Sequence, residues 1–159
     1  NIKRIDVQTA DQMYETCHTY FPNTDIAIMA AAVADYKPAQ THQQKIKKSE
    51  GNSQIELAAN KDILKSLGKI KTDKQLLIGF ALETNDAIAH AQQKLEAKRC
   101  DAIVLNTLED KGAGFGHDTN KVYILSTKAE IQSYALQSKQ NTAKDICNFI
   151  ATYLVKDKD

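Results

Sequence analysis

The chain has 159 residues, enough for one domain of ordinary size with a buried core, and we interpret residues 1–159 as a single domain. Its 21 Lys and Arg residues nearly balance its 20 Asp and Glu residues, which gives no reason to expect nucleic acid or an acidic membrane surface as partner. No apolar run approaches the roughly 20 residues of a membrane span, so we expect no membrane association.

The cysteines indicate a reducing compartment. Cys17, Cys100 and Cys147 are odd in number, widely spaced and free of any CxxC pair. This pattern is typical of reduced thiols in a cytoplasmic protein, and we expect no disulfide and no zinc site.

The chain opens with the pattern of a strand, a helix and a second strand. Residues 2–7 alternate like a strand, and Thr9 is the predicted N-cap of a helix over residues 10–21. Residues 26–30 (IAIMA) are an unbroken apolar run, which predicts a strand buried on both faces of a sheet. Strand, helix and strand in this order favour a parallel sheet.

Small side chains follow this second strand. Residues 30–34 lead to Asp35 and Tyr36, which therefore stand where a strand of an open α/β sheet ends. Such sheets bind ligands outside the carboxyl ends of their strands, so a ligand is expected here. On this stretch alone, an Asp that merely caps a turn or helix is the commoner explanation.

The next stretch predicts a β-hairpin. Residues 45–48 (KIKK) and 54–57 alternate on either side of a turn-like composition at residues 50–53. In a strand, Lys45 and Lys47 would share one face. Such a hairpin is too small to be stable alone and must pack on another surface.

Two helices and a strand follow. Asn60 is the predicted cap of a helix that carries Asp62 in its first turn and ends near Gly68, and residues 76–81 predict a second buried strand. The next helix, over residues 86–98, has a predicted core face of Ile88, Ala91 and Leu95. Beside it lies a stripe of His90, Lys94 and Lys98. Like charges four residues apart repel, so this lysine pair is either a solvated face or the binding site of an anion.

The last part predicts two strands and a helix. Residues 102–105 and 122–125 are the strands, and residues 106–120 form a polar loop between them that contains GAGFG. A dinucleotide fingerprint needs its glycines at a turn from strand into helix, so we reject that interpretation. The final helix is capped near Thr142, and its predicted apolar face consists of Ile146, Phe149, Ile150, Tyr153 and Leu154.

Seven strings occur together in one order: AAVADYKP (31–38), KIKK (45–48), ANKDIL (59–64), GFALET (79–84), the Lys94 and Lys98 pair, DAIVLN (101–106) and GFGHDTN (114–120). Together they resemble phosphopantothenoylcysteine synthetase, usually the C-terminal half of the bacterial bifunctional phosphopantothenoylcysteine decarboxylase/synthetase of coenzyme A biosynthesis. The resemblance implies a Rossmann-like, mostly parallel sheet with helices on both faces, a protruding β-hairpin and a homodimer.

The resemblance also implies a reaction. CTP, with Mg²⁺, activates the carboxylate of 4′-phosphopantothenate as an acyl-cytidylate, and cysteine then displaces CMP. Carried over by position, Lys45 is the catalytic residue. The CTP-binding residues implied are Met29, Ala30, Ala31, Asp35, Lys45, Lys61, Asp62, Ile63, Leu64, Phe80, Lys94 and Lys98. The resemblance gives no metal ligands.

This sequence departs from the family in two respects. Lys61 stands where the bacterial pattern commonly has Pro. The strand-turn-helix segment that precedes this stretch in the family, with its essential Asn, is not found before Asn1, nor is the decarboxylase domain that would hold FMN. We therefore expect these residues alone to be inactive. The alternatives are a nucleotide-binding or dimerising module without catalysis, and an ATP-using relative.

Overall fold

The computed structural model describes residues 2–41, 44, 54–107, 116–127 and 129–156, with side chains described to residue 152. Within these ranges the chain forms a five-stranded sheet, a two-stranded ribbon and four α-helices. The predicted hairpin arm at residues 45–48, most of the GAGFG loop, and the side chains of Tyr153 and Leu154 fall outside what is described.

The strands, in chain order, are β1 Ile26–Met29, β2 Tyr36–Pro38, β3 Leu57–Ala59, β4 Leu76–Glu83, β5 Ala102–Thr107, β6 Thr119–Ser126 and β7 Gln132–Ser138. The main sheet has the order β1-β4-β5-β6-β7. Its first three strands pair in parallel, whereas β6 and β7 pair antiparallel. The predicted α/β fold is confirmed, and the sheet is mixed.

The helices are α1 Ala10–Tyr20, α2 Ile63–Ile70, α3 Ala87–Ala97 and α4 Lys139–Lys156. The start of α1 is as predicted, because the Thr9 side chain accepts a hydrogen bond from the backbone N–H of Gln12, whose own side chain accepts from Thr9 N. This reciprocal pair is a capping box, which satisfies two backbone donors that would otherwise lack partners.

The core has two layers, one on each face of the main sheet. Leu77 and Ala81 of β4 pack with α1, α2 and α3, whereas Leu76 and Ile78 of the same strand pack with α4. The alternation along β4 explains this, since successive strand residues point to opposite faces. Helices therefore cover both faces of the sheet, as predicted. The predicted core residues Ile146, Phe149 and Ile150 of α4 are buried.

The ribbon pairs β2 with β3 antiparallel. Its register sets Tyr36 opposite Ala59, and Ala39 N donates to Glu56 O over 2.8 Å. The second predicted hairpin arm, residues 54–57, therefore enters a ribbon, but only Leu57 is in its strand β3, and the described partner is the stretch that follows Asp35.

Two strand predictions were wrong. Residues 2–7 form no strand within the described chain, because sequence alternation needs a neighbouring strand to pair with, and Ile2 is fully exposed. β1 is not buried on both faces, since it lies at the edge of the described sheet and α4 packs on β4 to β6 instead, which leaves Ile28 44% exposed. The strand β7 was missed because its sequence, QSYALQS, is mostly polar.

Three helix predictions were also wrong. Asp62, not Asn60, caps α2, and its Oδ1 accepts from Lys65 N at 2.9 Å. Ile88 is 45% exposed, because the face of α3 that packs on the core consists of Ala87, Ala91 and Leu95. The helix α4 begins three residues before Thr142, whose hydroxyl donates back to Ser138 O.

All three cysteines are unpaired in the structure. Burial raises the pKa of Cys100 to about 12, because the apolar surroundings disfavour the thiolate, so this thiol stays protonated at neutral pH. Among the described helices, none is both long enough and apolar enough to cross a membrane.

Candidate functional site

A cavity of about 530 Å³ lies beyond the carboxyl ends of β1 and β4. Its wall is built from the loop after β1, the start of α2, the end of β4 and one face of α3. Eleven of the twelve predicted CTP-binding residues line it: Met29, Ala30, Ala31, Asp35, Lys61, Asp62, Ile63, Leu64, Phe80, Lys94 and Lys98. Lys45, the twelfth, is not among the described residues.

The loop after β1 forms one side of the cavity. Residues 30–34 carry only methyl side chains apart from Val33, and all of the alanines are exposed. A ligand can therefore approach the backbone closely, which larger side chains would prevent. Asp35 ends the loop and leads directly into β2.

The start of α2 forms the opposite side. Asp62 uses one carboxylate oxygen to cap the helix, and its other oxygen, Oδ2, lies 3.3 Å from Lys98 Nζ. Ile63 and Leu64 of the first turn line the cavity. The positive end of the α2 dipole thus lies at the cavity wall, an arrangement that favours an anionic ligand.

Each lysine of the α3 pair contacts a carboxylate. Lys94 Nζ lies 2.7 Å from Oε1 of Glu83. The two groups form an ion pair, but their relative orientation does not meet the geometry of a hydrogen bond. Lys98 is paired with Asp62. His90 Nδ1 is 3.6 Å from the other oxygen of Glu83. These carboxylates offset the repulsion between the lysines, so their spacing alone does not indicate a bound anion. Both ammonium groups are partly exposed and line the cavity.

The charge of Lys61 is engaged elsewhere. Its Nζ lies 3.3 Å from Glu15 Oε1 and 4.3 Å from the centre of the Tyr14 ring, both on α1. At this exposed site the pair contributes little to stability. Because the Lys61 side chain is held on α1, Lys61 contributes mainly its backbone to the cavity. A residue whose side chain is not needed there is consistent with a position where the family commonly has Pro.

Other lining residues were not among the predicted CTP-binding residues. They are Met13, Ala32, Val33, Ala34, Asn60, Ala81, Leu82 and Asn106. Asn106 had a readable signal, because it follows the apolar part of β5 as Asp35 follows β1, and its Oδ1 accepts from Asn120 Nδ2 at 3.0 Å. Met13 had none, since only the packing of α1 against the sheet brings it there.

A second cavity, of about 750 Å³, adjoins the first. The two share Met13, Val33, Ala34 and Asn60. Residues 7–11, residues 36–39 and Thr41 line the rest of it, and an ion pair between Lys37 and Asp11 joins the first two stretches. The hydrogen bond from Lys37 lowers the pKa of Asp11.

No three metal-ligating side chains converge within the ranges that the structure describes. The carboxylates that line the first cavity are Asp35 and Asp62. Mg²⁺ in nucleotide sites is commonly held by one or two carboxylates together with the phosphates. Because both oxygens of Asp62 are already engaged, an ion that enters with a nucleotide would be held mainly by the phosphates.

Comparison with known proteins shows which family this chain belongs to. Residues 1–154 match the family described as the DNA/pantothenate metabolism flavoprotein C-terminal domain. The chain belongs to this family. The resemblance stated from the sequence strings is thereby confirmed.

Three known proteins illustrate the likeness. The Coenzyme A biosynthesis bifunctional protein CoaBC of Bacillus subtilis is 41% identical over 92% of this chain and 36% of its own length. A cysteine/cysteine sulfinic acid decarboxylase of an unknown prokaryotic organism is 47% identical over 96% of this chain and 42% of its own length. The crystal structure of a CoaBC C-terminal domain is 38% identical, with a TM-score of 0.76 over 96% of this chain and 68% of that one.

The chain thus spans about two fifths of the length of the curated relatives that it matches. The match with the solved CoaBC domain confirms the Rossmann-like α/β fold. The convergence of the predicted residues in one cavity is a finding of the structure, whereas their role in binding CTP stays a prediction.

Proposed function

We propose that this chain forms the CTP-binding part of a phosphopantothenate–cysteine ligase in coenzyme A biosynthesis. The observation that carries the proposal is the cavity itself. Residues from four separate parts of the chain, which the family resemblance assigns to nucleotide binding, line a single space at the carboxyl ends of parallel strands. That is where open α/β sheets bind nucleotides.

The proposed reaction has two steps. The carboxylate of 4′-phosphopantothenate attacks the α-phosphorus of CTP, which forms an acyl-cytidylate and releases pyrophosphate. The amine of cysteine then attacks the acyl carbon, forms the amide, loses a proton and releases CMP. Activation is needed because a free carboxylate is a poor acyl donor, whereas the mixed anhydride carries a good leaving group.

The cavity walls suit the parts of CTP. In the proposal the base and ribose lie against Met29, the small-residue loop and Asp35, and Phe80 packs at the nucleotide. The triphosphate lies between the α2 start and the pair Lys94 and Lys98, where helix dipole and ammonium groups favour negative charge.

Mg²⁺ enters with CTP in this account. The described cavity wall carries the charges of Lys94 and Lys98 but also those of Asp35 and Asp62, so its charge cancels. A triphosphate brings several negative charges and needs further cations. We propose that Lys45 supplies one of them and that Mg²⁺, which would be held mainly by the phosphates of CTP, supplies the rest.

The adjoining cavity gives the intermediate a second compartment. An acyl-cytidylate joins a nucleotide to a pantothenate chain, so its site must have two contiguous parts. The two cavities share a wall at Met13, Val33, Ala34 and Asn60. We assign the nucleotide to the smaller cavity and the pantothenate end to the larger one.

We also propose that the protein is a cytoplasmic homodimer. Apolar side chains on and beside the ribbon are well exposed, among them Tyr36 and Leu57. A second copy that packs there would bury them. The unpaired cysteines suit the reducing cytoplasm.

Three other functions remain to be compared with this one. A nucleotide-binding module without catalysis would share the cavity, and an ATP-using ligase would share the chemistry. The decarboxylase name belongs to a relative of which this chain covers 42%, and no described cavity residue gives a reason to transfer it.

Titration calorimetry of the chain with CTP, ATP, GTP and NAD in Mg²⁺ tests the nucleotide assignment. We expect CTP to bind at least about tenfold more tightly than ATP, because a pocket of fixed hydrogen-bonding groups rejects a base that leaves them unpaired. NAD should show no comparable binding. Equal affinities for CTP, ATP and GTP would mean that the triphosphate alone is recognised, which the proposal does not allow.

A further inference from the structure

The loop of residues 30–35 needs support from outside itself. Within it, Val33 N donates to Ala31 O over 3.1 Å, and most of its side chains are exposed methyl groups. Exposed small side chains provide little packing, so such a segment is expected to be mobile unless other contacts hold it.

Asn60 supplies two such contacts. Its backbone N–H donates to Asp35 O at 2.7 Å, and its side-chain Nδ2 donates to Ala34 O at 2.8 Å. Two successive carbonyl groups of the loop are thus held by one residue. Because Tyr36 pairs with Ala59, the backbone hydrogen bond between Asn60 and Asp35 extends the β2–β3 pairing by one residue. The side-chain hydrogen bond to Ala34 is not part of that pairing.

The orientation of the Asn60 amide follows from this addition. A carbonyl oxygen only accepts hydrogen bonds, so the NH₂ group must be the one that faces Ala34 O. The other amide atom, Oδ1, is then buried and has no hydrogen-bond partner among the described residues. An unpaired buried acceptor is unfavourable and calls for an explanation, which the grip on the loop provides.

The position of Asn60 links several parts of the site. It follows β3 directly, stands two residues before the Asp62 cap of α2, and lines both cavities. A change at Asn60 therefore reaches the loop that faces the nucleotide while the core layers around the main sheet stay as they are.

We propose that Asn60 is a positioning residue, whose side-chain amide fixes the Ala34 and Asp35 end of the loop in the shape that accepts the base of CTP. The inference rests on the proposed function for the identity of the ligand. The two hydrogen bonds from Asn60, on which the inference is built, are observed in the structure itself.

Asn60→Asp tests this, because aspartate keeps the shape but replaces the donor with an oxygen that repels Ala34 O. By calorimetry we expect the Kd for CTP to rise at least about tenfold and the preference for CTP over ATP to shrink. Asn148→Asp, which adds the same charge at an exposed position of α4, should change neither. Asn60→Ala serves as a second variant if the aspartate variant does not fold.

Backbone ¹⁵N order parameters of residues 32–35 provide a readout without ligand. We expect values near 0.85 in the unsubstituted chain and below about 0.6 in the Asn60 variant, with β7 unchanged. Unchanged loop order, or a loosened loop with unchanged CTP affinity, would overturn the inference. If the unsubstituted chain binds no CTP, the proposed function fails, and the order parameters still decide whether Asn60 holds the loop.

Discussion

Lys45→Gln is expected to lower kcat by roughly a hundredfold to a thousandfold in a completed enzyme. By completed enzyme we mean this chain fused behind the segment that precedes the matched region in the Bacillus subtilis CoaBC protein. The family resemblance assigns Lys45 to the phosphates and the acyl-cytidylate. A cation that contacts charge as it develops stabilises the transition state more than the bound substrate, so CTP binding should change less than turnover. The assay is cysteine-dependent release of CMP from CTP.

Two comparisons sharpen this prediction. Lys48→Gln removes the same charge three residues away and should retain most of the activity. Replacing both Lys94 and Lys98 by alanine should act in the opposite sense, weakening CTP binding by about tenfold to a hundredfold with a smaller effect on kcat, because these side chains line the bound triphosphate in the proposal. Normal turnover in Lys45→Gln would remove its catalytic role.

Gly68→Ala is expected to destabilise the fold by about 3 kcal/mol, at the upper end of what overpacking costs. A Cβ atom on Gly68 would lie 1.9 Å from the carbonyl oxygen of Lys98 and 3.3 Å from the Cβ of Arg99. The first contact is with backbone, which cannot rotate away, so α2 and the end of α3 would have to separate. Because Lys98 also lines the cavity, CTP binding should weaken as well.

Urea unfolding followed by circular dichroism measures this loss, with Lys69→Ala as the matched control. Lys69 is the next residue of the same helix and is exposed, so its replacement should shift the free energy of unfolding by no more than about 0.5 kcal/mol. Helix propensity alone predicts that Gly68→Ala stabilises by about 1 kcal/mol. A stabilised variant would show that the close approach to Lys98 does not govern this position.

Much of the fold followed from local patterns in the sequence. The apolar runs of β4 and β5 and the Thr9 cap of α1 are strong local signals, and the structure confirms them. The failures have a common cause. Each failure depends on neighbours that are distant in sequence, which alternation and composition do not report. These neighbours decide whether residues 2–7 pair, whether Ile28 is covered and where β7 joins the sheet.

The site was predictable to a different extent. Asp35 could be placed at a strand end from periodicity, and the spacing of Lys94 and Lys98 left an anion site as one of two interpretations. Only the family resemblance singled out Phe80, which by itself reads as a core residue. Asn60 shows the limit of local reasoning. As a residue before a helix it reads as an N-cap, whereas in the structure its side chain holds a loop residue 26 positions earlier, and Asp62 is the cap.

The most direct test of the account is CMP release from CTP in the presence of 4′-phosphopantothenate, Mg²⁺ and cysteine. The completed enzyme should release CMP only when both substrates are present. Residues 1–159 alone should release none, because the family resemblance assigns the Asn that contacts the acyl group to a preceding segment, and a misplaced acyl group cannot react. Full activity from residues 1–159 alone, or CMP release without cysteine in the completed enzyme, would contradict the account.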